Sequence, residues 1–144
     1  MNFNNFTIKS QEAVQQAIQL VQNRGQQAIE AEHLLAGVLK VGENVTNFLF
    51  QKLGMNGPQI VNVLDKQIAS LPKVTGGEPY LSRTSNEVLQ KSVELSKGLG
   101  DEYVSLEAML LALLNVKSTA STILKDAGMN EKDLRTAINE LRQG

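Results

Sequence analysis

The chain has 144 residues, one histidine, no cysteine and 14 basic against 15 acidic side chains, for a net charge of −1. That is one domain's length, 42% of it apolar, which is enough for a core. Disulfides and thiolate chemistry are excluded, no Lys/Arg run supplies a nucleic-acid footprint, and no stretch nears the roughly 18 apolar residues of a membrane span; with neither a basic head nor an apolar run in Met1–Ser10, a cytoplasmic protein is expected.

Apolar residues recur at spacings of three and four throughout, so the chain reads as all-α. A first helix is predicted from about Ser10 to Asn23, with Ala13, Val14, Ala17, Ile18 and Val21 on one stripe, closed near Gly25. The second, Glu32 to Lys40, is apolar on nearly every side and therefore central. The third runs from about Asn44 to Leu53 and stops at Gly54, and Asn56 offers a cap to a fourth that carries Ile60, Val63, Leu64 and Ile68. Paired glycines and two prolines between Leu71 and Tyr80 forbid a helix and form a connector.

The remaining elements repeat the first four. With a shift of 75 positions, Ser10, Glu12, Gln15, Leu20, Gly25, Glu32, Leu35, Leu39 and Val41 fall on Ser85, Glu87, Gln90, Leu95, Gly100, Glu107, Leu110, Leu114 and Val116. After a one-residue deletion, Gly54-Met55-Asn56 falls on Gly128-Met129-Asn130. The second set therefore comprises a helix carrying Val88, Leu89 and Val93, closed at Gly98 or Gly100, then Glu107 to Asn115, Ser118 to Ala127, and a last helix capped by Asn130. Copies of about 65 residues bury too little alone, so two pseudo-twofold-related four-helix repeats, 7–71 and 82–142 joined by connector 72–81, are expected to pack as one domain of about eight helices.

Little catalytic chemistry is present. No G-x-x-x-x-G-K-[ST] loop occurs, so no nucleotide or other cofactor is expected on this domain. His33, replaced by Ala108 in the second copy, reads as a satisfied core residue, and Glu32, Glu107 and His33 do not assemble a hydrolase. Glu32 and Glu107 open the two central helices; they either complement the helix dipoles or form a symmetric carboxylate pair for basic groups of a ligand. Ser105 reads as a helix cap, whereas Glu30 caps less well. Where the first copy has Ala31, Ala36 and Gly37, the second has Leu106, Leu111 and Ala112; this surplus either fills the seam between copies or lines an exposed groove.

Phe6-Thr7-Ile8-Lys9-Ser10-Gln11-Glu12-Ala13, Ile29-Glu30-Ala31-Glu32-His33-Leu34-Leu35 and Leu71-Pro72-Lys73-Val74, in this order, resemble the Clp N-terminal repeat domain, and the connector resembles the ClpB (Hsp104-type) disaggregases more than the ClpC or ClpA unfoldases. The resemblance implies a domain linked to two AAA+ modules that would carry ATP and Mg, in a hexamer working with an Hsp70 system. It also implies that the domain engages unfolded or aggregated polypeptides and helps deliver them to the pore. Nucleic acid and membrane are not expected partners, and the isolated domain is expected to be a monomer. Family positions linked to substrate engagement match Thr7, Asp101 and Glu107, although Thr7 could simply cap a helix and Asp101 could be a solvated loop residue. An apolar patch is also implied and is assigned to Ala13, Leu89, Leu106 and Leu110, with Glu32 as a secondary acidic site. The first copy departs from the usual Thr/Pro before Glu-His-Leu, having Glu30-Ala31. The alternative implied by the ClpC branch is adaptor docking or phosphoarginine recognition through Glu32 and Glu107; a domain that is only a spacer would bind no unfolded chain.

Overall fold

In a computed structural model, which describes residues 2–144, Thr7 and Ser82 play the same part at the start of the two repeats. The Thr7 side chain accepts the Ser10 N–H at 3.1 Å and opens α1 (Ile8–Asn23); Ser82 accepts the Ser85 N–H at 3.1 Å and opens α5 (Arg83–Gly98). Gly25 and Gly100 follow these helices with φ of 67° and 77°, a left-handed conformation that glycine adopts without strain, so Gly100 rather than Gly98 is the closing glycine.

The central helices are α2 (Ala31–Val41) and α6 (Leu106–Asn115). They are followed by α3 (Glu43–Leu53) and α7 (Thr119–Asp126), then by α4 (Gly57–Ala69) and α8 (Glu131–Gln143). Asn56 and Asn130 cap α4 and α8 as their sequence positions predict, accepting from the Gln59 and Asp133 N–H groups. Every side chain of α6 from Ala108 to Leu114 is buried, and so are Ala31 to Leu35 of α2.

Two short strands depart from the purely helical expectation. β1 (Ala28–Ile29) pairs in parallel with β2 (Tyr80–Leu81), Ile29 opposite Leu81. A single parallel bridge joins Phe6 to Val104. The 75-residue shift carries Phe6 onto Leu81 and Ile29 onto Val104, so the two pairings are symmetry mates, and each joins one repeat's first residues to the other's central loop. The hydrogen bonds repeat as well: Thr7 N–H to Val104 O at 3.0 Å, and Ser82 N–H to Ile29 O at 3.1 Å. Strand signals two residues long are too short to show as alternation in a sequence.

The surplus apolar bulk of α6 is consumed at the seam. α6 packs against α1, α2 and α3 of the first repeat, and Leu106 lies against the Cα of Gly42, where a methyl group would collide with its Cδ1. Ala13, Leu89 and Leu110 are completely buried and Leu106 is 6% exposed. The apolar surface patch expected at these four residues is therefore not a surface: all four are core, and Leu106 is spent against the other repeat, as expected of two units too small to bury enough alone.

Candidate functional site

Asp101 and Glu107 are brought together by a residue that the sequence did not single out. Arg142, in the last turn of α8, donates through Nη1 to Asp101 Oδ1 at 3.0 Å and through Nη2 to Asp101 Oδ2 at 2.7 Å. Its Nε donates to Glu107 Oε2 at 3.2 Å, and Nη2 also reaches Ser105 Oγ at 3.3 Å. The fork geometry of guanidinium matches a carboxylate bidentately, which makes this the most directional ion pair of the chain. The Asp101 hydrogen bonds raise the Arg142 pKa above its ordinary value, outweighing its partial desolvation, and Glu107 adds to the effect.

Local structure fixes the acidic groups. Asp101 follows the left-handed Gly100 and donates its N–H to Ser96 O at 2.9 Å, and Ser105 caps α6 by accepting from the Ala108 N–H. Glu107 lies in the first turn of α6, where exposed helix N–H groups favour a carboxylate. Its side chain is only 13% exposed, that of Asp101 21% and that of Arg142 31%. The cluster is thus half-screened from solvent.

Thr7 joins the same neighbourhood through its backbone. Its N–H bond to Val104 O places it beside the loop that runs from Asp101 to Ser105, while its hydroxyl caps α1 and donates to Ser10 Oγ at 2.8 Å. The sequence neighbours of this bonded pair, Ile8 and Tyr103, are 75% and 50% exposed. The exposed apolar side chains of these two segments are therefore Ile8, next to Thr7 in the chain, and Tyr103, in the loop between Asp101 and Ser105. Their symmetry counterparts are Arg83 and Ala28, so the first repeat does not reproduce the arrangement.

The equivalent place in repeat one is built without charge pairing. Asp101, Glu107 and Arg142 correspond to Gln26, Glu32 and Ile68. Gln26 donates to Ile68 O at 2.7 Å and its Oε1 meets His33 Nε2 at 2.8 Å, while His33 Nδ1 accepts the Glu30 N–H at 2.9 Å. With Nδ1 an acceptor, the proton sits on Nε2, and the ring is neutral. Burial, with a smaller contribution from Arg24, lowers the His33 pKa to about 4. Glu32 is 7% exposed, and desolvation raises its pKa. The expected secondary acidic site at Glu32 is accordingly a buried carboxyl with no arginine at the position of Arg142, not a mate of Glu107.

Two shallow grooves also mark the surface. One of about 420 Å³ between α1, α2 and α4 has Leu20, Ala36, Leu39 and Val61 in its walls; another of about 450 Å³ between α4 and α7 has Ile60, Val63 and Ile123. Among the described residues no group of three or more His, Cys, Asp or Glu is placed to hold a metal, and no helix is long and apolar enough to cross a membrane.

Residues 5–127 match the Clp repeat (R) N-terminal domain. The chain belongs to that family. All 144 residues align at 77% identity with the chaperone protein ClpB of Bacteroides thetaiotaomicron and at 54% with that of Porphyromonas gingivalis, in each case over 17% of the relative's length. The chain thus spans about one sixth of these curated relatives. The Hsp104 N-terminal domain from Candida albicans superposes with a TM-score of 0.84 at 22% identity, covering 96% of this chain and 92% of that one. A ClpV N-domain in complex with a VipB peptide gives 0.73 at 23% identity, covering 94% and 86%. The chain is an N-domain of the ClpB/Hsp104 type, and the eight-helix repeat fold is the fold of that group.

Proposed function

We propose that this N-domain is the substrate-recognition module of a disaggregase. It binds exposed apolar segments of unfolded or aggregated polypeptides that also carry Lys or Arg, and hands them towards an AAA+ pore. The observation that carries this reading is that the two segments joined by the Thr7–Val104 bond expose Ile8 and Tyr103, while one of them also carries Asp101, which with Glu107 sets two carboxylates against the single Arg142; apolar surface and a net acidic cluster suit a segment of mixed apolar and basic character. The fold-mate solved with a VipB peptide shows that a ClpV N-domain takes a peptide, which supports a peptide-binding role here. Binding across so small an area is weak, which suits a segment that must be passed on.

Titration of the 144-residue chain with a permanently unfolded protein tests this. Ile8→Ser and Tyr103→Ser alter exposed side chains, so the fold should persist while affinity falls about three- to tenfold. Unchanged affinity in both variants would remove this surface from the reading. A phosphoarginine-containing peptide should bind less well than its unmodified form, because the added phosphate meets Asp101 and Glu107; a preference for the phosphate would instead favour the adaptor or phosphoarginine reading.

A further inference from the structure

The Asp101–Glu107 site already holds a guanidinium. Arg142 fills it with four hydrogen bonds drawn from two carboxylates and a hydroxyl, and it does so from α8, 35 to 41 residues further along the chain. The ion pair is not needed to build the repeat. In repeat one the corresponding place is held by Gln26, Glu32 and Ile68, with Ile68 buried and its carbonyl bonded to Gln26, and that unit has the same four helices. Nor is Arg142 sealed in by packing, since its side chain is 31% exposed.

We infer that Arg142 is an internal occupant of a guanidinium site: an arginine side chain of a bound segment takes the Asp101–Ser105–Glu107 cradle by displacing it, and the displacement frees the last turn of α8. The deduction rests on the recognition reading above. It assigns the ligand class to that site, arginine rather than basic residues in general, because the carboxylate edge of Asp101 receives a two-pronged donor that a lysine ammonium cannot reproduce. It also means that the domain as built is held in a state of reduced affinity. If Arg142 occupies the cradle roughly three- to tenfold more often than not, the apparent Kd of an arginine-bearing segment is raised by about the same factor.

The test uses the 144-residue chain, its Arg142→Gln variant, and a short unstructured apolar peptide carrying one arginine, compared with the same peptide carrying citrulline, which keeps the shape and loses the charge. The expected result is about a three- to tenfold gain in affinity of R142Q for the arginine peptide, with no gain for the citrulline peptide. In the unmodified chain, the Arg142 Nε–H resonance should shift on adding the arginine peptide and stay in place with citrulline. If both peptides bind the unmodified chain, yet R142Q shows no arginine-specific gain and the Arg142 resonance does not move at saturation, the displacement is refuted while the recognition reading stands. If neither peptide binds either protein, the recognition reading fails and this inference with it. Should R142Q not fold, the resonance of the unmodified chain decides alone.

Discussion

His33 illustrates how much a single side chain can hold. Its ring joins the first turn of α2 to Gln26, and Gln26 joins α4 through the Ile68 carbonyl, so one neutral imidazole ties three segments of repeat one. Protonation would set Nδ1–H against the Glu30 N–H. With the folded pKa at about 4 against 6.5 in the unfolded chain, the unfolded state alone takes up a proton between these values. Stability is therefore full above pH 6.5 and falls as the pH drops towards 4, by roughly 3 kcal/mol at most from this residue. Denaturant midpoints measured across that window should show a shallower pH slope in His33→Ala than in the parent. The raised Glu32 pKa acts with opposite sign: the folded state prefers the protonated carboxyl, so Glu32 favours folding more as the pH falls through its folded value. Glu32→Gln should consequently steepen the acid loss of stability. Leu110 carries a further expectation, because it is fully buried rather than part of a surface groove. Leu110→Ser should cost about 3–5 kcal/mol in urea unfolding through cavity and buried hydroxyl, and any loss of binding should track loss of fold.

At the scale of elements, local signals decided much and close contacts decided the rest. Caps at Thr7, Asn56, Ser105 and Asn130 were readable because a side-chain oxygen two or three residues ahead of a helix's free N–H groups is a purely local device. Gly37 was not readable in the same way. A Cβ there would run into the Ala13 carbonyl oxygen, so α1 and α2 approach backbone to backbone at that point, although α2 gives no other sign of the need. Gly37→Ala should destabilise by about 1–3 kcal/mol, measured as a lowered urea midpoint, even though alanine is the better helix former and Ala112 occupies the matching position of α6. An unchanged midpoint would show that α1 and α2 can slide apart at little cost. The apolar surplus of α6 is the converse case: its amount was plain from composition, but whether it faced solvent or the other repeat depended on what lay opposite.

Taken whole, the molecule is two repeats that cannot be separated cleanly. The Phe6–Val104 and Ile29–Leu81 pairings cross from one repeat to the other, α6 packs on three helices of the first repeat, and Lys52 of α3 meets Glu140 of α8 at 3.2 Å. Residues 7–71 or 82–142 expressed alone should lack a cooperative thermal transition by circular dichroism, since each exposes the central helix that its partner covers. A sharp transition in either fragment would contradict this. The helices, the duplication and the family were legible along the chain, because periodicity, caps and repeated motifs are short-range signals. The sequence also pointed to Thr7, Asp101 and Glu107, through resemblance. That Ala13, Leu89, Leu106 and Leu110 are core, that Ile8 and Tyr103 are exposed, and that Arg142 fills the acidic pair emerged only in the folded chain. The burial of Leu106 depends on which surface of the other repeat lies opposite it, and the Arg142 pairing on how α8 folds back onto the loop ahead of α6 within the second repeat; no spacing within the chain encodes the distance from a carboxylate at 101 to a guanidinium at 142.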